Sequence, residues 1–390
     1  LPQLLLLRGA KQLLTLRGAP NVRRGAQSED LAVIPDGSIL IRDGRIASIG
    51  STRRLENMQE ARGAIDVPVH GCVVMPGFVD PGIQLSLSDT KEAARPRRKR
   101  LQTFHEESVA LMRGCLQHGT LTAGVRARSL HNLTGADVSL LRQMARIGNN
   151  PVNMVRAWRI PSVAGQNPSL QAINSTLTAL RKHRLATMVE LGADSLCTTD
   201  SALLGLLNTA QMEVSLTWRT GDPNQLHQAL QAASPASVFC DSKLSSAECE
   251  VLANSASTAI FTARRDLLED TPGGSLRDLA DAGGALALTS GYDAESETNF
   301  NMQWVVALAV MRLRLSVEQA IVASTINAAY AMRCGSELGS LEVNKRAEIL
   351  VLNLDDYREL PRRLGTNHVG MVIRNGNIVL NRTRWRVGAA

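Results

Sequence analysis

Aromatic side chains are scarce in this 390-residue chain, at 3% of the sequence. The core must therefore be packed from Leu, Ala, Val, Ile and Met. Paired cysteines are missing too: Cys72, Cys115, Cys197, Cys240, Cys249 and Cys334 are scattered with no C-x-x-C spacing. That argues against a zinc knuckle or a small disulfide scaffold and suits a reducing compartment. No eighteen consecutive apolar residues occur, so no transmembrane helix is expected. The Leu4-Leu5-Leu6-Leu7 run, broken by Arg8 and Gly9, is too short for a signal-peptide core. A cytoplasmic protein is the expectation. The formal net charge of +7 owes much to Arg95-Pro96-Arg97-Arg98-Lys99-Arg100. No aromatics interleave with that run, so it reads as a solvated loop, and neither a nucleic-acid nor a membrane partner is expected.

What is present is an ordinary globular balance, 44% hydrophobic and 20% charged, in a chain long enough for one large and one smaller domain. The first seventy residues read as short strands punctuated by glycine. Within them, 38–41 and 45–49 flank Asp43-Gly44, a two-residue hairpin signal. From about residue 71 the pattern changes to alternation of strands and amphipathic helices. Strands are expected at 72–79, 121–126, 152–159, 187–192, 213–218, 237–240, 258–263 and 285–289, with helices such as 104–117 and 169–182 between them. Eight βα units at this spacing suit a (β/α)8 barrel. Helices are expected next at 299–314 and 316–332, the second opening on the capping-box pattern Ser316-Val317-Glu318-Gln319. The tail returns to strands at 348–352, 369–374 and 377–380, the last two joined by Asn375-Gly376. The fold class expected is α/β: a barrel over 71–338, with 1–70 and 339–390 combining into a small β-sandwich.

Several segments carry a resemblance. Val74-Met75-Pro76-Gly77-Phe78-Val79-Asp80 resembles the first barrel strand of the amidohydrolase superfamily. Thr325-Ile326-Asn327-Ala328-Ala329, the run from Gly339 to Glu348, Asp356-Tyr357-Arg358-Glu359-Leu360-Pro361 and Asn367-His368-Val369 resemble the closing segment of imidazolonepropionases. Those enzymes open a cyclic amide ring with a bound divalent metal such as zinc or iron. The resemblance implies the barrel, a homodimer, and metal ligands at the C-terminal ends of strands. It also shows where the ligands should stand, and other residues are there. The His-x-His pair of strand one is replaced by Gly82 and Gln84. The His of strand five is replaced by Thr217, and the Asp-His pair of strand six by Phe239 and Cys240. The Asp of strand eight is replaced by Gly291. None of the seven histidines falls at an expected strand end, and His70 only precedes strand one. A catalytic zinc wants three protein ligands and an open position, so no metal or other cofactor is expected.

The barrel-mouth candidates for binding are Gln84, Arg126, Glu190, Thr217, Cys240, Tyr292 and Asp293. Gln84 either bonds a ligand or fills space once held by metal. Thr217 and Cys240 suit small lining or core groups, and Cys240 as a nucleophile would need a base. Asp293 reads as a displaced acid or a solvated loop carboxylate. Arg126, with Arg159 and Arg219, could converge as an anion site with Glu190 as counter-ion, while Trp158 and Trp218 could close the emptied pocket. The leading expectation is a catalytically degenerate, metal-free amidohydrolase-like protein with a binding or assembly role, taking a small molecule at the barrel mouth. The alternatives are an active hydrolase of non-peptide C–N bonds with relocated ligands drawn from Cys240, Asp241, Asp293 and Glu295, and a regulatory subunit of an intact paralogue.

Overall fold

A computed structural model describes residues 4–86, 97–128, 134–160, 169–193, 201–219, 221–262 and 274–383. The anticipated N-terminal hairpin forms. Strands β1 (Leu4–Leu14), β2 (Val33–Arg42) and β3 (Arg45–Ser51) run antiparallel, β2 and β3 turning at Asp43-Gly44. Both turn residues have positive φ, at 51° and 80°, as a turn matched to strand twist requires. Strands β4 (Ile65–Pro68) and β5 (Val73–Pro76) both pair in parallel with β1.

The expected strand at 72–79 is in fact two strands. Its first half is β5, a member of the terminal sheet. Its second half begins β6 (Phe78–Ser86), the first strand of the barrel. The unbroken apolar run hid the break at Gly77. An added Cβ there would meet Leu121 at 2.5 Å, so the chain turns between sheets where it is tightly packed.

The barrel continues with β7 (Thr120–Arg128), β8 (Asn153–Arg159), β9 (Met188–Gly192), β10 (Glu213–Trp218), β11 (Ser237–Cys240), β12 (Thr258–Thr262) and β13 (Leu286–Thr289). All pair in parallel in chain order. An isolated bridge between Gln84 and Asp293 brings the two ends of the sheet together. Helices such as Arg97–Gln117, Leu170–Lys182 and Pro223–Ala233 cover the outside. The helix expected at 316–332 is two short ones, Val317–Ala323 and Ile326–Ala331, and the first carries the Ser316/Gln319 capping box. After them β14 (Ile349–Leu352), β15 (Val369–Arg374) and β16 (Asn377–Asn381) join β5 in the terminal sheet. Both ends of the chain thus combine, as expected, and where a small sandwich was anticipated their strands form one eight-stranded sheet.

Strand alternation decides which residues see the barrel interior. Ala157, Met188, Phe239, Ile260 and Ala287 pack inside, over a floor made by Ala328, Ala331 and Met332. Trp158, Val189, Leu216, Trp218, Val238 and Cys240 belong instead to the core between strands and helices.

Candidate functional site at the barrel mouth

Alternation corrects two expectations at once. On β11 the inward residue is Phe239, so the Cys240 thiol points into the helical layer, buried, 3.7 Å from the Val238 carbonyl. Trp158 and Trp218 also face outward and do not close the barrel. Trp218 Nε1 donates to Glu248 Oε1 at 2.6 Å, under the helix Ser246–Ala253.

Inside the mouth the structure brings together Arg126, Glu190, Thr217 and Arg159. Glu190 is fully buried. Its Oε2 accepts from Arg126 Nη1 at 3.1 Å, its Oε1 accepts from Thr217 Oγ1 at 2.5 Å, and Arg159 Nε lies 3.5 Å from the same oxygen. Burial alone pushes the Glu190 carboxyl up. The two guanidiniums and the Thr217 and Arg126 hydrogen bonds outweigh it and hold the group below the usual carboxylate range. Arg126 also donates from Nη2 to the Gly82 carbonyl at 3.3 Å, and its guanidinium lies 4.2 Å from the centre of the Phe239 ring. Arg219 is exposed beyond the end of β10, outside this cluster.

A second buried carboxylate was not picked out from the sequence. Asp80 is fully buried and accepts from Thr289 Oγ1 at 2.6 Å, Ser290 Oγ at 2.5 Å, and the N–H groups of Gly82 and Ser290, each at 3.2 Å. Desolvation outweighs these donors and pushes its pKa up. Its place in the Val79-Asp80-Pro81 run, next to the altered His-x-His pair, was the available signal.

Thr289 has a further effect. A Cβ added at Gly82 would meet Thr289 Oγ1 at 2.5 Å, so no side chain fits at position 82 unless Thr289 moves. At Gly291 an added Cβ would meet Thr262 at 2.5 Å, on a backbone with φ of +66°. Gln84 is committed as well. Its amide donates to Asp293 Oδ2, its backbone N–H donates to the Tyr292 carbonyl at 2.7 Å, and Asp293 Oδ1 accepts from Glu295 N–H at 2.9 Å. Tyr292 is half-buried against the helix-facing core, and burial raises its phenol pKa. Beneath Arg126 the barrel is nearly full. The free space amounts to about 10 Å³, room for one water at most.

Residues 274–379 match the amidohydrolase family. Imidazolonepropionase of Brevibacillus brevis is 26% identical over 416 residues, covering 96% of this chain and 97% of the relative. That of Symbiobacterium thermophilum is 26% identical with 98% of each covered. The chain is amidohydrolase-like along its length. Among solved structures, this amidohydrolase-like fold superposes on Escherichia coli guanine deaminase with a TM-score of 0.71 at 16% identity, covering 97% of this chain and 99% of that one. A variant of Arthrobacter aurescens atrazine chlorohydrolase, solved with zinc and atraton, gives 0.76 at 14% identity, covering 97% and 95%. At such identities the structural likeness concerns the fold alone.

The donor chemistry of the amidohydrolase-like mouth does not fit a divalent metal. Among the described residues no group of three or more His, Cys, Asp and Glu is placed to hold one. Glu190, Asp80 and Asp293 are each engaged by donors of the chain itself. Five described cysteines, Cys240 among them, are outside any disulfide.

Proposed function

We propose that this chain is a catalytically degenerate amidohydrolase-like protein that works without a divalent metal and keeps its barrel for binding or assembly. The observation that supports the reading best is the space around Gly82. Where relatives by resemblance begin a His ligand, Thr289 already stands at contact distance and is tied to Asp80. Hydrolysis of a ring C–N bond in this family depends on a metal that activates water and polarises the carbonyl. Among the described residues no cluster offers those ligands, and the buried carboxylates Glu190 and Asp80 are each hydrogen-bonded within the chain.

The binding role falls to the mouth. Arg159 is 29% exposed, with its Nε 3.5 Å from Glu190 Oε1. The ligand it suits is a small molecule bearing a carboxylate, held by the guanidinium fork. The reading with relocated ligands loses support because Cys240 faces away from the mouth and Asp293 is bonded to Gln84 and Glu295.

Metal analysis of protein purified from zinc-, iron- and manganese-supplemented cultures, with a turnover assay on cyclic amides, tests the proposal. The expected result is substoichiometric metal and no turnover. Stoichiometric barrel-bound metal together with hydrolysis would overturn it.

A further inference from the structure

We infer that the guanidinium of Arg126 is the resident cation of this barrel, standing where relatives by resemblance hold their metal and selected by groups that suit a flat organic cation. The inference rests on the metal-free reading but can fail separately from it.

The contacts of this one group mark the position. Its Nη2 reaches the carbonyl of Gly82, the residue in place of the first strand-one ligand. Its face covers Phe239, which stands in the pair replacing the strand-six ligands. Its Nη1 binds Glu190, and Glu190 accepts from Thr217, the residue in place of the strand-five ligand. Three of the altered strand ends thus converge on one guanidinium or on its carboxylate partner.

The surroundings also choose the kind of cation. An aromatic face has no lone pair to coordinate a metal, but its quadrupole attracts a weakly hydrated guanidinium. A carboxylate on one edge and a carbonyl on another match N–H groups that point in fixed directions. A lysine ammonium on this strand would bring charge without the plane. Glu190, wholly buried, needs cations beside it; Arg159, its Nε 3.5 Å away and 29% exposed, stays when Arg126 is removed but offsets the charge only in part, and loss of a buried partner is strongly destabilising.

Arg126 keeps 12% of its side chain exposed, so a small cation can enter from the mouth if the side chain is cut back. In Arg126→Ala the missing atoms are those of ethylguanidinium. The test is thermal unfolding of Arg126→Ala, with and without millimolar ethylguanidinium, beside wild type and Glu190→Gln/Arg126→Ala. Arg126→Ala should melt lower by roughly 5 °C or more. Ethylguanidinium should return roughly 2 °C or more to that variant and nothing to wild type or to the double variant. Zinc chloride and propylammonium should return nothing. The inference is overturned if Arg126→Ala melts like wild type, if ethylguanidinium restores nothing, or if zinc restores stability instead. Should Arg126→Ala fail to fold, Glu190→Gln/Arg126→Met decides. A folded double variant shows that the harm was the unpaired charge and supports the inference, and an unfolded one assigns Arg126 to packing and overturns it. Metal-free wild type with an indifferent Arg126→Ala would remove this inference and leave the proposed function standing.

Discussion

Two carboxylates at the barrel mouth are equally buried yet respond to pH in opposite senses. Glu190 has its folded pKa depressed, so the stability it contributes is present above the unfolded value and is lost as pH falls through the folded one. Asp80 has its folded pKa raised by desolvation, so the stability linked to its proton is present at low pH and is lost as pH rises from the unfolded value through the folded one. Glu190→Gln should therefore cost roughly 1–3 kcal/mol near neutrality and progressively less toward acid. Asp80→Asn should behave differently. Oδ1 keeps the acceptor role toward Thr289, Ser290 and Gly82 N–H, and the new amide can donate to Ser290 Oγ. That variant should gain on wild type as pH rises above the acid range. Urea midpoints of the two variants across the acid-to-neutral range check both. Parallel curves for wild type and Glu190→Gln would disprove the first claim, and a pH-independent difference between wild type and Asp80→Asn the second.

At the scale of elements, the segments that carried the family resemblance prove to be joints of the scaffold. Asn327, buried in the Ile326–Ala331 helix, accepts from Arg23 N–H at 2.7 Å and donates to the Arg23 and Leu286 carbonyls, each at 3.0 Å. One amide thus ties the N-terminal segment to the start of β13. Gln303 donates to the His118 carbonyl and to Asn367 Oδ1, while His368 N–H donates back to Gln303 Oε1, all at 3.0 Å. Most partners in these joints are backbone groups, with Asn367 Oδ1 the side-chain exception, and none of them is a residue of the mouth. Asn327→Ala should cost about 2–4 kcal/mol by leaving these groups unpaired, with faster amide exchange around Arg23 and Leu286. Unchanged exchange at both places would show that the joint carries no load. This also explains what could be read in advance. Alternation of strands and helices, helped by the resemblance, located β7 to β13 and most of the terminal sheet, whereas the expected first strand covered β5 and only the start of β6. The division of the run at Gly77 left no periodic trace. The parity of β11 depends on where the strand begins relative to its neighbours, so Cys240 and Phe239 could not be told apart. Arg126 and Glu190 were legible as a pair by charge and position. Thr289 was not, because its role lies in the space it takes from Gly82.

For the whole molecule, the question is whether the barrel is one substitution or many away from a metal site. The strand-one His pair could be rebuilt as Gly82→His/Gln84→His. The imidazole at 82 would start from a Cβ 2.5 Å from Thr289 Oγ1, and moving Thr289 would strip Asp80 of a donor. The imidazole at 84 would break the amide contact to Asp293, which joins the two ends of the barrel sheet. A divalent ion placed there would also meet the Arg126 guanidinium. At about 4 Å and an effective dielectric of about 20, that repulsion is on the order of 8 kcal/mol, enough to cancel most of the affinity of an ordinary two-ligand site. The double variant should therefore unfold at a lower temperature than wild type, and added zinc should not raise its midpoint. A zinc-dependent rise in Gly82→His/Gln84→His with Arg126 intact would show that the scaffold still accommodates the metal and that only ligands were lost. Absence of that rise, with binding gained once Arg126→Gln and Thr289→Gly are added, would show that the cation and the filled space keep metal out together.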